Sequence, residues 1–215
     1  GEMDILSVAY LYPSTFQAVV LKDSSIKSLS ELKGKTVAVG PPASSSEIMG
    51  WDILESYGIT KDDINGQTIS FEEGVNALSD GNVDAVFVMS AAPNSQIMEI
   101  ATTHDIELLP VEDDLIDSLI EEIPYYGKIT IPAETYDGQE EDINTLSMGT
   151  TIVANSNVSE NVVYEFTKYI YENIEEVKAL HSIAEEISLE NATNMPIPFH
   201  PGAIKYYEEK GLDVE

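Results

Sequence analysis

Two short stretches hold the residue types that ligand chemistry needs. The first is Gly40-Pro41-Pro42-Ala43-Ser44-Ser45-Ser46, between an apolar run at 36–39 and a helical pattern that reaches about Tyr57. Three hydroxyls stand where that helix begins. Free backbone N–H groups and the positive end of the helix dipole meet there, so a carboxylate, phosphate or sulfonate suits the position. The Gly-Lys-Ser/Thr ending of a nucleotide P-loop is missing. One serine is enough to cap the helix, and that ordinary role leaves two unexplained. The second stretch is Ser90-Ala91-Ala92-Pro93-Asn94. Its small residues let a ligand approach the backbone. As a plain strand-to-helix connection it would put Pro93 in the first helical turn. Ligands of open parallel sheets sit beyond the carboxyl ends of the strands, so both loops are expected to line one crevice.

Reaction chemistry is not indicated. His104, His181 and His200 fall at helix ends, where structural roles suffice. None has a His or carboxylate partner at metal-ligand spacing, and no Gly-x-Ser-x-Gly elbow occurs. The acidic clusters, such as Glu72-Glu73, Glu112-Asp113-Asp114 and Glu140-Glu141-Asp142, fit no EF-hand loop and read as solvated surface. The reading is therefore no enzyme, no catalytic residue, no metal and no cofactor. Eleven tyrosines could line a small-ligand cleft or the edge of a core, and both remain open.

The elements that must position these residues alternate. Residues 5–12 and 16–21 are β-prone runs about Pro13, as two strands or one bent strand. Ser28 and Glu31 make a capping-box pattern for a very short helix closed by Gly34. Strands are expected at 36–39, 67–70, 83–89 and 106–111. Between them Ile48, Trp51 and Leu54 mark one helix face, and Ser70 with Glu73 cap a second helix. A third helix runs to about Thr102, and Leu115, Ile116, Leu119, Ile120 and Ile123 mark a fourth. Such alternation predicts an α/β fold with a largely parallel sheet. After Pro124 the chain turns irregular, with a short strand near Ile129. A strand at 146–154 follows, then a long helix marked by Val163, Phe166, Ile170, Ile174 and Val177, and two short helices. Residues 35–123 form a self-sufficient unit flanked by strands at both ends. This predicts two lobes: residues 1–23 and 143–215 as a partial first lobe, and 24–142 as a complete second lobe.

Composition narrows the partners. The 215 residues carry 39 acids against 10 bases, a net charge of −29, and every base is lysine. That field repels nucleic-acid backbones and anionic membranes. A hydrophobic fraction of 43% still supplies a packed core. Zero cysteine excludes disulfides, Cys-ligated zinc and thiol catalysis. No run approaches a membrane span, so no direct membrane insertion is expected.

The residues also carry a resemblance. Ser28-Leu29-x-Glu31-Leu32-Lys33-Gly34-Lys35-x-Val37-x-Val39-Gly40 resembles the entry into the second lobe of type II periplasmic binding proteins. Leu11-Tyr12-Pro13, Val39-Gly40-Pro41-Pro42-x-Ser44-x-Ser46-Glu47, Gly81-x-Val83-Asp84-Ala85-x-Phe87, Ala92-Pro93-Asn94, Pro124-Tyr125-Tyr126, Ile131-Pro132-Ala133-x-Thr135-Tyr136-x-Gly138-Gln139 and His200-Pro201-Gly202-Ala203 follow in order. Together they resemble the solute receptors of TRAP transporters of the TAXI group.

The resemblance implies an extracytoplasmic receptor, periplasmic or extracellular, with a lipid anchor in a longer form left open. Such a receptor closes on a small solute and hands it to TRAP permease subunits. It implies that Tyr12, Ser44, Ser45, Ser46, Ala91, Ala92 and Pro93 face the cleft. Members of the group begin with a Gly/Thr-rich region that builds most of the first lobe. The expectation here is a chain lacking that part. The group is associated with glutamate-like amino acids and small carboxylates. Without arginine this chain offers no bidentate carboxylate fork, so a carboxylate would rely on the Ser loop, tyrosines, backbone N–H groups or the part of the first lobe not present. Dicarboxylate, zwitterion and neutral solutes stay open, as does an ABC-type or signalling-linked binding protein.

Overall fold

The computed structural model describes residues 4–179 and 182–214. In chain order its strands are β1 (Ile5–Leu21), β2 (Thr36–Ala38), β3 (Asn65–Gln67), β4 (Ala85–Ser90), β5 (Ile106–Leu109), β6 (Tyr126–Ile131) and β7 (Ile143–Asn155). Its helices are α1 (Ser45–Ser56), α2 (Phe71–Ser79), α3 (Ser95–Ala101), α4 (Asp113–Glu122), α5 (Glu160–Glu172), α6 (Ile174–Lys178) and α7 (Pro201–Glu209). The chain divides into two compact units, one of Ser14–Met148 and one of Gly1–Pro13 with Gly149–Glu215. These boundaries differ from the expected 23/24 and 142/143. The reason is that residues 15–21 of β1 pair with β4 and β5, and residues 143–148 of β7 pair with β6, so both stretches belong to the larger sheet. Pro13 does not split the first strand, which runs unbroken.

The larger unit is a sheet covered on both faces. Along β4, Ala85, Phe87 and Met89 enter one buried cluster, while Val86 and Val88 enter the other. That alternation, apolar on both sides, is what a strand buried on both faces requires. Met49, Ile53 and Leu54 of α1 and Ile116 and Leu119 of α4 fill the first cluster. Val75 and Leu78 of α2 and Ile97 and Ile100 of α3 fill the second. Ile48, expected on the buried face of α1, is 51% exposed, because Met49, Ile53 and Leu54 face the sheet instead. Serine or asparagine side chains cap α1, α2, α3 and α5. Ser70 accepts from the Glu73 N–H while Glu73 reaches back to the Ser70 N–H, as the sequence predicts. Ser28 makes no such cap, and Glu31 instead accepts from the Lys27 N–H at 2.6 Å.

The sheet is mixed rather than largely parallel. β2 runs parallel to β3 and β4, but β1 is antiparallel to β4 and β5, and β6 to β7. Alternating strands and helices gave the parallel trio correctly. The long strand β1 lies inside the sheet between β4 and β7 and is not joined to a parallel neighbour by a crossover, so it escapes that rule.

The smaller unit packs α5 against α7 over Val8 and Ala9 of β1. Tyr171, Tyr206 and Tyr207 are its large buried side chains, and the Tyr207 hydroxyl donates to the Val8 carbonyl at 2.7 Å. The expected long helix ends at Glu172, and α6 starts afresh at Ile174. Phe166, expected in its core, is 47% exposed; Val163, Thr167 and Ile170 form the buried face. The helices meet closely at Gly202, where an added Cβ would lie 2.2 Å from the Glu160 carbonyl oxygen and 2.8 Å from the Tyr164 nitrogen. Backbone cannot yield as a side chain can. Gly202→Ala is therefore expected to cost about 1–3 kcal/mol, read as a lower midpoint in thermal unfolding followed by tyrosine circular dichroism.

Candidate functional site

The first loop is built around a chain of hydroxyls. The Glu47 N–H donates to Ser44 Oγ at 3.3 Å, Ser44 and Ser46 Oγ lie 3.0 Å apart, and Ser46 donates to the Val39 carbonyl at 3.2 Å. Since Ser46 spends its proton on Val39, Ser44 is the donor between the two serines. Ser46 is fully buried, and it sits so close to Gly40 that a Cβ there would fall 1.9 Å from its oxygen. Gly40 has φ +103°, so glycine is required twice over. Two of the three expected ligand-facing hydroxyls, those of Ser44 and Ser46, are thus engaged within the loop itself. Ser44 is the helix cap, and Ser46 ties α1 to the end of β2. Ser45, half-buried, makes no side-chain hydrogen bond among the described residues. Glu47 adds a feature that the sequence reading missed. Its carboxylate accepts from the Ala43 N–H at 2.6 Å, placing a negative charge at this loop.

The second loop is held from behind. Gln17 is 1% exposed in the middle of β1. Its Nε2 donates to the carbonyls of Ser90 at 3.4 Å and Ala91 at 3.5 Å. Its Oε1 accepts a short hydrogen bond from the Tyr136 hydroxyl, and that hydroxyl accepts from the Asn94 N–H at 2.8 Å. Asn94 in turn caps α3, accepting from Gln96 and Ile97 at 3.0 and 3.2 Å. Pro93 therefore precedes the cap rather than entering the first turn. Ala91 and Ala92 are half-buried, Ala92 packing on the second core cluster, and Pro93 is exposed. Burial pushes the Tyr136 phenol up to about 12, partly opposed by the Asn94 N–H.

The two loops share an edge of one sheet. β2 and β4 are hydrogen-bonded neighbours running in parallel, with Val37 opposite Ala85 and Ala38 opposite Val86. The chain therefore leaves both strands in the same direction, into residues 40–46 and 91–94. The far end of α1 is fixed separately by the Tyr126 hydroxyl, which donates to Asp52 Oδ2 at 2.6 Å. Burial and the Asp52 charge hold that phenol well above its ordinary range. Tyr12 belongs to the smaller unit, where it packs half-buried against the core of that unit.

The histidines are structural where described. His200 caps α7, its Nδ1 accepting from the Gly202 N–H at 3.2 Å and its Nε2 lying 3.0 Å from the Val158 carbonyl, which fixes the proton on Nε2. His104 Nδ1 lies 2.9 Å from the Thr103 hydroxyl. His181 lies outside the described residues. No group of three His, Cys, Asp or Glu among the described residues is arranged to hold a metal ion. No helix among them is long and apolar enough to cross a membrane.

A family profile, that of the NMT1-like family, matches residues 1–211. The chain belongs to the NMT1-like family. Among solved structures, this NMT1-like chain is similar to a protein of Bordetella bronchiseptica RB50, at 17% identity and TM-score 0.51, covering 96% of this chain and 60% of that one. It is also similar to the periplasmic aliphatic sulphonate binding protein SsuA of Escherichia coli, at 16% identity, TM-score 0.48, and 96% and 59% coverage. For the alkanesulfonate-binding SsuA of Xanthomonas axonopodis pv. citri, bound to MOPS, the values are 14%, 0.49, 96% and 66%. The NMT1-like chain spans about three-fifths of the length of these structures. Its fold is mixed α/β, shared with the Bordetella bronchiseptica structure.

Sequence reading of the NMT1-like chain found both loops but missed Gln17, Tyr136 and Glu47. Gln17 left a signal, as a lone amide in the apolar run at 16–21. A buried amide needs partners, so such a residue marks a polar network.

Two outcomes follow from this geometry. Ser46→Ala removes the donor to the buried Val39 carbonyl and is expected to cost about 1–3 kcal/mol. Ser45→Ala should stay within about 0.5 kcal/mol; urea unfolding of both variants checks the contrast. Tyr136 carries an alkaline dependence. Its folded pKa lies above the unfolded value of 10.0, so its contribution is complete below pH 10 and declines as pH rises towards about 12. Tyr136→Phe should remove about 2–3 kcal/mol of that alkaline slope, measured as the difference in unfolding free energy between the two proteins across this window.

Proposed function

We propose that the chain is the ligand-gripping part of an extracytoplasmic solute receptor, binding a small carboxylate or amino acid such as glutamate and delivering it to TRAP-type permease subunits. The observation that carries this reading is the pair of loops, 40–46 and 90–94, leaving adjacent parallel strands at one sheet edge. Ligands of α/β sheets collect at such edges. The family match over residues 1–211 supports a receptor, and the ordered motifs from Leu11-Tyr12-Pro13 to His200-Pro201-Gly202-Ala203 support the TAXI group within it. In the larger unit Ser45, Ala91, Ala92 and Pro93 remain the proposed ligand-facing residues, with Ser44 and Ser46 as their support.

Electrostatics favours an amino acid over a dianion. Both loops lack lysine, the chain lacks arginine, and the Glu47 carboxylate stands at the first loop. A carboxylate must rely on backbone N–H groups and a hydroxyl. An ammonium group on the same ligand would be drawn to Glu47. A ligand of net charge −2, with no ammonium to offset its second carboxylate, would meet a net field of −29, weakened but not removed by salt.

Calorimetry with L-glutamate, 2-oxoglutarate and succinate tests the reading. The expected order is glutamate tighter than either dicarboxylate, with the dicarboxylates gaining affinity as salt rises. Silence toward all three would overturn the ligand class. Uptake in reconstituted vesicles that depends on ATP would reassign the receptor to an ABC-type importer.

A further inference from the structure

We propose that Gln17 and Tyr136 are positioning residues that clamp the 90–94 loop in its ligand-receiving shape. For the ligand this rests on the receptor reading above; for the loop itself it rests on geometry alone. A buried side-chain amide without partners is costly, so Gln17 has only the orientations that its neighbours satisfy. Here those neighbours settle it. The Tyr136 hydroxyl donates to Oε1, so Oε1 must face Tyr136 and Nε2 must face Ser90 and Ala91. The carbonyls of Ser90 and Ala91 are thereby drawn toward the buried amide. A carboxylate approaching the loop is spared two acceptors that would repel it.

Tyr136 closes the arrangement from the other side. Its oxygen accepts from the Asn94 N–H, and Asn94 starts α3. One hydroxyl therefore fixes the far end of the loop while one amide fixes the near end. The clamp joins three separate pieces of sequence: β1, the 90–94 loop and the turn that follows β6. That turn is itself braced. Gln139 Nε2 donates to the Pro132 and Glu141 carbonyls, both at 2.9 Å, and Asp142 accepts from the Ala133 N–H at 2.8 Å. Hydrogen bonds of this kind, buried and mutually oriented, constrain one another more than isolated pairs do.

Amide hydrogen exchange by NMR, joined to titration with L-glutamate, tests the clamp. Tyr136→Phe keeps the ring and removes the hydroxyl. It should speed Asn94 exchange about tenfold or more, leave the Phe87 and Val88 amides of β4 protected, and weaken L-glutamate binding about fivefold or more. Gln17→Met keeps the volume and removes both the Nε2 donor and the Oε1 acceptor, and it should give the same local pattern should the first variant fold poorly. Unchanged Asn94 exchange in the folded variants overturns the clamp. So does a rise of equal size at Phe87 and Val88, which would be a loss of general stability. Loosened Asn94 with unaltered glutamate affinity overturns the positioning role. Wild-type silence toward L-glutamate sinks the receptor's ligand assignment instead, and Asn94 exchange then still decides whether the clamp exists.

Discussion

The parallel pairing of β2 with β4 is the constraint on which the rest depends. It places Val37 against Ala85 and Ala38 against Val86 at the centre of a sheet covered on both faces. Parallel neighbours send their following loops out of the same edge. Every candidate ligand contact in the larger unit follows from that direction. So does the placement of α1 and α3, whose N-termini open from the two loops. With both faces of the strands buried, a one-residue slip would exchange side chains between the two core clusters and disrupt the packing of both.

Given that edge, polar satisfaction shapes the loops. Ser46 is buried because it bonds Val39, and Gly40 must be glycine because Ser46 is there. Gln17 is tolerated inside β1 because Tyr136, Ser90 and Ala91 together use its amide. Both networks hold backbone in place. The tyrosines divide in the same way, since Tyr126 and Tyr136 brace the site elements while Tyr206 and Tyr207 pack the smaller unit.

Much of this was legible in the residues. The alternation from 36 to 123 gave the helices and the parallel trio, and Ser70 with Glu73 gave a cap that forms as read. Both loops were found from Gly, Pro and Ser punctuation. The failures have physical causes. Ile48 and Phe166 fit an apolar helical stripe, yet each sits at its margin, and the neighbouring elements bury the adjacent positions instead. The antiparallel partners of β1 were invisible, because strand direction leaves no mark on a buried apolar run.

By itself the sequence determined composition-level facts and local ones: no arginine, no cysteine, a charge of −29, helix starts at serine, and two small-residue loops after strands. These follow from residue type and near neighbours alone. Only tertiary structure decided which hydroxyls were already spent and which residues stood behind the loops. Gln17 meets Tyr136 across 119 positions of chain. Whether a serine faces a ligand or a carbonyl depends on what packs against it, and packing is a property of the folded whole.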